Sequence, residues 1–216
     1  MTTSAGSVAQ PAVHSAGRPA GRRGRPGYDL ESLLAVAAKL FNERGYDGTS
    51  MEDLSRKLGI TKSAIYHHVP SKQELLRLAI NRALDALFAE VAKLEQVDGR
   101  AIDRLEHLVR GSVLVLTRDL PFVTLLLRVR GNTKVEREAL ARRREFDHLV
   151  ADLVAQAAAE GDLRADIDSA VTARLLFGLV NSLIEWYRPR GAAAAGQLAD
   201  TVVAVAFDGL RVRPPA

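Results

Sequence analysis

From Leu30 onward, apolar residues recur at helical spacing, and no stretch between turn signals alternates with period two. This pattern predicts an all-α chain with no sheet. Leu30, Leu33, Leu34, Ala37 and Phe41 fall on one face of a first helix, which Gly45 ends. Ser50 is the N-cap of a short second helix, with Asp53 three residues on and Met51, Leu54 and Leu58 toward the core. Gly59 stops that helix. Thr61 caps a third short helix carrying Ile65, and Pro70 closes it. Ser71-Lys72-Gln73-Glu74 reads as a capping box that opens a long fourth helix, with Leu76, Ile80, Ala83, Leu84, Leu87, Val91 and Leu94 along one side. Further helices are predicted near 100–117, 119–129, 133–160, 166–187 and 196–211. The breaks between them fall at Asp98-Gly99, Pro121, Gly131-Asn132, Gly161 and Pro189-Arg190-Gly191. No internal repeat is visible.

At roughly 100–200 residues per domain, 216 residues allow one or two domains, and a hydrophobic content of 47% excludes global disorder. The absence of cysteine excludes disulfides, thiolate metal sites and a Cys nucleophile. The N-terminus lacks the apolar run of a signal peptide. The longest uncharged run, residues 175–184, falls short of the roughly 20 residues that a membrane span needs. A soluble cytoplasmic protein without a membrane partner is expected.

The formal charge of +4 is unevenly placed. Residues 1–27 contain Arg18, Arg22, Arg23 and Arg25 and no acid, which leaves 26 basic against 26 acidic residues elsewhere. This Gly-, Ala-, Ser- and Pro-rich tail should be disordered in isolation. Its Arg23-Gly24-Arg25-Pro26 looks like the core of an AT-hook, in which Arg23 and Arg25 enter a narrow A·T-rich minor groove. A generally cationic, solvated arm is the alternative.

Residues 50–72 carry the functional signal. Two short helices joined by a Gly-containing turn have helix-turn-helix spacing. Between Leu54 and Gln73 stand Arg56, Lys57, Lys62 and Lys72, with no acid, the asymmetry expected of a surface that faces phosphates. The third helix buries Ile65 and turns Lys62, Ser63, Tyr66 and His67 outward, where they fit a major groove about 12 Å wide. Tyr66 packed on the first helix is the plainer alternative. His67 and His68 point about 100° apart on a helix, which disfavours joint metal ligation; no metal and no cofactor are expected.

At this point the chain resembles the TetR family. The matching residues are Phe41-Asn42-Glu43-Arg44-Gly45-Tyr46-Asp47-Gly48-Thr49-Ser50, then Leu54, then the run from Leu58-Gly59-Ile60-Thr61-Lys62 to Tyr66-His67-His68-Val69, then Ser71-Lys72-Gln73-Glu74-Leu75-Leu76. The resemblance implies that Thr49 or Ser50 binds a phosphate, that Lys62 and Ser63 lie over base edges, and that Tyr66 and His68 contact phosphates on opposite sides of the groove. It also implies that Lys72 grips a backbone phosphate. His67 stands at a position that varies in the family. Val69-Pro70 replaces an aromatic followed by a small or basic residue. Both leave the operator sequence open.

The helix after Asp166 is apolar nearly all round, as expected of a helix buried on two sides. The resemblance implies a homodimer in which the last two helices pair across a twofold axis through Leu175, Leu179, Ser182, Leu183, Val202, Val205 and Ala206. It also implies a ligand pocket among the middle helices. The candidates are Leu87, Val91, Leu108, Ser112, Val115, Phe122, Leu126, Phe146, Leu149, Phe177 and Asn181, any of which could equally be plain core. The run Asn181 to Pro189 is similar to the penultimate helix of members that sense acyl-CoA thioesters. With Arg128, Arg130 and Arg188 pairing with phosphates and Trp186 stacking on adenine, the effector would be an acyl- or aryl-CoA. A bundle end with an ordinary Trp anchor is the alternative there.

Three domains are expected: a tail over 1–27, a helix-turn-helix domain over 28–75, and a ligand-binding and dimerisation domain over 76–213. The function expected is a repressor released from double-stranded operator DNA by a small hydrophobic or CoA-thioester effector. A multidrug-sensing repressor and an architectural DNA binder are the alternatives. An enzyme is disfavoured, because no nucleophile–base pair, phosphate loop or metal cluster is legible.

Overall fold

The computed structural model describes Met1 and residues 29–189, 191–208, 210 and 211. Arg23 and Arg25, and with them the minor-groove expectation, lie outside the described residues. The described residues form nine α-helices and no strand; one isolated bridge joins Leu163 to Arg211. None of these helices is long and apolar enough to cross a membrane.

Helix α1 (Leu30–Arg44) starts where the Asp29 carboxylate accepts from the Ser32 N–H at 2.8 Å. Helix α2 (Met51–Leu58) has a complete capping box: Ser50 Oγ accepts from the Asp53 N–H, and Asp53 Oδ2 accepts from the Ser50 N–H. It ends at Gly59, whose φ of 66° lies in the left-handed region that a side chain would strain. Helix α3 (Lys62–His68) is capped by Thr61, and α4 (Lys72–Lys93) by Ser71. The capping box expected at Ser71–Glu74 forms only halfway. Glu74 turns instead to Arg77, whose Nε donates to it at 2.8 Å, because a guanidinium one turn on competes for the carboxylate.

After a 3₁₀ turn at Leu94–Gln96 come α5 (Ala101–Arg118), α6 (Leu120–Arg128), α7 (Lys134–Ala159), α8 (Ser169–Trp186) and α9 (Ala192–Asp208). Helix α5 is the centre of this half and packs against α9, α7, α4 and α8. Its inward residues Leu105, Leu108, Val109, Val113 and Val115 are each 1% exposed or less. Burying a side chain of this size contributes roughly 1.5–3 kcal/mol.

The two halves share one core, because α1 and α4 both lie against α6. The Asn42 amide donates to the Pro121 carbonyl at 2.7 Å, and Arg128 donates to the Asn42 carbonyl at 3.1 Å, so one residue of α1 holds both ends of α6. Arg82 of α4 bridges Glu31 at 3.0 Å and the buried Asp119 at 3.1 Å.

The apolar helix α8 divides into two faces. Thr172, Ala173, Leu176, Val180 and Leu183 are buried within the subunit, whereas Val171, Leu175, Gly178, Leu179 and Ser182 are exposed. On α9, Ala195, Ala199, Val202, Val203 and Phe207 are buried and Val205 is 62% exposed. Two of the expected interface residues are thereby corrected. Leu183, one heptad after Leu176, and Val202, facing α5 with Ala199, belong to the subunit's own core. Ala206 is half-buried. Leu175, Leu179, Ser182 and Val205 remain on an uncovered face.

Candidate nucleic-acid interface and ligand pocket

Helix α3 has only Ile65 buried, so nearly its whole circumference is free. Lys62, Ser63, His67 and His68 are exposed, and Tyr66 is 49% exposed. Half of the Tyr66 surface is therefore open to a partner. Lys62 Nζ lies 2.9 Å from Glu52, an exposed pair across the α2–α3 turn. This contact holds the Glu52 carboxyl below its usual range. Exposed pairs of this kind contribute little and give way readily to a phosphate.

Ser50 is exposed at the start of α2, where helix N–H groups point outward. Thr49 is not available. It is 1% exposed, and its hydroxyl donates to the Gly45 carbonyl at 2.8 Å. The sequence placed two adjacent hydroxyls at the helix start, and the turn after Gly45 draws one of them inward. Lys72 also departs from expectation. Its ammonium donates to the carbonyls of Tyr46 and Thr49, both at 2.9 Å, and lies 4.2 Å from the Tyr46 ring centre. Two of its three donors therefore fasten α4 to the α1–α2 turn, leaving one to face outward.

A narrow, mostly apolar cleft with a free volume of about 50 Å³ lies between α4, α5, α6, α7 and α8. Its walls include the expected Leu87, Ser112, Leu126, Phe146, Phe177 and Asn181. Phe146 stands at its centre, edge-on to Phe88 at 6.2 Å and to Phe177 at 5.0 Å. The other candidates lie elsewhere. Leu108, Val115 and Phe122 are packed into the core, Leu149 is 38% exposed on the outer side of α7, and Val91 sits beyond the cleft on α4. They share an apolar periodicity with the lining residues, and periodicity does not say which core positions border a void.

Leu84, Phe88, Leu116, Val123, Leu127, Arg143, Asp147 and Val180 also line the cleft and were not anticipated. Phe88 adjoins Leu87, and Leu84 had been recognised only as a core position. Arg143 and Asp147 were passed over because charged residues on a long helix usually face water. Burial pushes the Asp147 carboxyl upward, against the opposing pull of Arg143, Arg174 and His148.

Arg128, Arg130, Trp186 and Arg188 are not brought together. Arg128 and Arg130 border a separate groove with residues 41–48, and Trp186 and Arg188 border a depression beside Leu198. The first groove lies where α6 ends against α1, the second where α8 ends against α9, and none of the four lines the cleft. Among the described residues no group of three His, Asp or Glu side chains is placed to hold a metal ion.

Two family models match the chain. Residues 33–79 match the one described as "Bacterial regulatory proteins, tetR family", and residues 98–210 match "Tetracyclin repressor-like, C-terminal domain". A solved member of the TetR transcriptional regulator family from Streptomyces coelicolor A3 is 55% identical, with a TM-score of 0.78, over 85% of this chain and 92% of that one. The HTH-type transcriptional repressor KstR2 of Mycobacterium tuberculosis is 26% identical over 188 residues, 82% of this chain and 90% of its own length. The crystal structure of AibR in complex with isovaleryl coenzyme A and operator DNA is 26% identical, with a TM-score of 0.69, over 82% of this chain and 97% of that one.

Proposed function

Because this chain belongs to the TetR family of bacterial transcriptional regulators, we propose that it is a dimeric repressor released from its operator by an acyl- or aryl-CoA thioester bound in the α4–α8 cleft. Residues 28–75 read the DNA and residues 76–213 bind the effector and the second subunit. The two recognition helices of a dimer meet half-sites about 34–36 Å apart. Helix α6 carries the reading: Val123, Leu126 and Leu127 wall the cleft, while Pro121 and Arg128 at its two ends are bonded to Asn42 of α1. A ligand that displaces α6 therefore acts on the DNA-binding helices directly. The displacement cannot exceed the ligand's preference for the shifted state, and a hundredfold loss of operator affinity requires about 2.7 kcal/mol of such preference.

The effector class is supported by the apolar, aromatic cleft, and by the isovaleryl coenzyme A bound to the relative AibR. It no longer rests on Arg128, Arg130, Trp186 and Arg188. The test uses a duplex selected from random sequence by the purified protein. Short acyl- and aryl-CoA thioesters, free acids and hydrophobic cationic drugs are titrated into the complex. Dissociation by thioesters is expected. Dissociation by drugs alone would replace this reading with a multidrug sensor, and failure to select any duplex would overturn the repressor itself.

A further inference from the structure

On its α7–α8 side the cleft adjoins a second depression: Asp147 and Phe177 line both, and Arg144, His148 and Arg174 line the second. Three guanidinium groups, of Arg143, Arg144 and Arg174, therefore border this side of the cleft against the single carboxylate of Asp147. Among the described residues none of the three forms an ion pair; the only hydrogen bond among them runs from Arg143 to the Leu126 carbonyl at 3.5 Å. By contrast, Arg82, Arg100, Arg142 and Arg164 each lie within 3.1 Å of a carboxylate. Three guanidinium groups against one carboxylate at the rim of an apolar cleft offer the charge and the donor geometry that an anion needs.

The interior end of the cleft has a complementary feature. Ser112 is 1% exposed, and its hydroxyl has no hydrogen-bond partner. The other two buried helical hydroxyls bond back to their own helices, Thr117 to the Leu114 carbonyl and Thr172 to the Asp168 carbonyl, both at 3.0 Å. Ser112 has not taken that local option. A buried polar group without a partner carries a cost that a bound polar atom would relieve.

We propose that the cleft divides its ligand between these two ends: Ser112 hydrogen-bonds a polar oxygen of a short acyl or aryl group held against Phe146 and Phe177, and Arg143, Arg144 and Arg174 hold the phosphates of the coenzyme A moiety at the mouth. This assignment rests on the thioester reading of the cleft and specifies which residues perform it. The raised Asp147 carboxyl agrees with a partly dehydrated rim.

The experiment compares one acyl-CoA with the matching acyl-pantetheine ester, which has the same acyl group and no phosphates, as agents that release the selected operator duplex. Each variant's ligand-free complex is its own reference. In the wild type the CoA ester should act at a concentration at least tenfold lower than the pantetheine ester, and that advantage should shrink as salt rises. Arg143→Gln and Arg174→Gln should each remove most of the advantage while the response to the pantetheine ester stays. Ser112→Ala should weaken both esters by a similar factor. Equal potency of the two esters in the wild type, or an undiminished advantage in both arginine variants, would overturn the rim assignment and leave the effector reading standing. Inactivity of both esters in the wild type would overturn the two together.

Discussion

Lys72→Met isolates the fastening between α4 and the α1–α2 turn, because methionine keeps an apolar stem of similar length and removes the ammonium. Two hydrogen bonds are lost, to the carbonyls of Tyr46 and Thr49, together with the cation over the Tyr46 ring. A hydrogen bond involving a charged partner contributes about 1.5–3 kcal/mol. Because Lys72 is only half-buried, the lower end applies to each. The ring contact adds about 0.5 kcal/mol, and water reaching the freed carbonyls returns part of the sum. A net loss of about 2–3 kcal/mol is expected. At roughly 2–4 °C per kcal/mol for a chain of this size, the melting temperature should fall by about 4–12 °C. Urea unfolding at one fixed protein concentration is the assay, since dimer stability depends on concentration. The slope with urea should be unchanged and the midpoint lowered. A stability within about 0.5 kcal/mol of wild type would refute the fastening and return Lys72 to a purely phosphate-gripping role. That role has its own signature, a fall of about one in the slope of log operator affinity against log salt.

Lys62→Ala and Tyr66→Ala should each weaken specific operator binding by about 1–3 kcal/mol in gel-shift titrations, whereas Glu52→Gln, which frees Lys62 from an exposed pair, should leave affinity equal or higher. Leu179→Arg and Val205→Glu put charge on the uncovered α8–α9 face and should yield folded monomers by sedimentation; Leu183→Arg, at a position 1% exposed, should instead unfold the subunit. The Asp53 carboxyl is held below the usual range first by the Ser50 side chain and then by its N–H, with Arg44 and Arg56 adding attraction. A depressed folded-state pKa gives stability that is present above the ordinary carboxylate pKa of about 4 and is lost as pH falls through the folded value. The stability gap between wild type and Asp53→Asn should accordingly be constant near neutrality and close on acidification, and a gap that persists in acid would count against the capping box.

The helix order, the ends of α2 and α3 and the outward face of α3 follow from the sequence alone, because each depends on residues within a turn or two, whereas α9 begins at Ala192, a turn before the expected 196. Ser50 with Asp53, Thr61, Gly59 and Pro70 start or stop helices through their own backbone chemistry, and a seven-residue helix with one buried side chain, Ile65, has one possible inner face. The phase of α8 was not legible. A helix apolar on every side carries no periodic signal, so only packing against α7 and α5 decided that Leu176, Val180 and Leu183 turn inward and Leu175 and Leu179 outward. The partners of polar groups were equally hidden, since Thr49 and Lys72 are claimed by carbonyls that the turn after Gly45 presents. The effector end of the molecule shows the same division. Apolar spacing marks core positions, but which of them border a void, and which arginines stand at its mouth, depends on how five helices converge. Arg128 and Arg130 fell with α6 against α1, and Arg143 and Arg174 fell with α7 and α8 beside the cleft, because helix crossing places side chains that lie far apart in the chain and no local rule does.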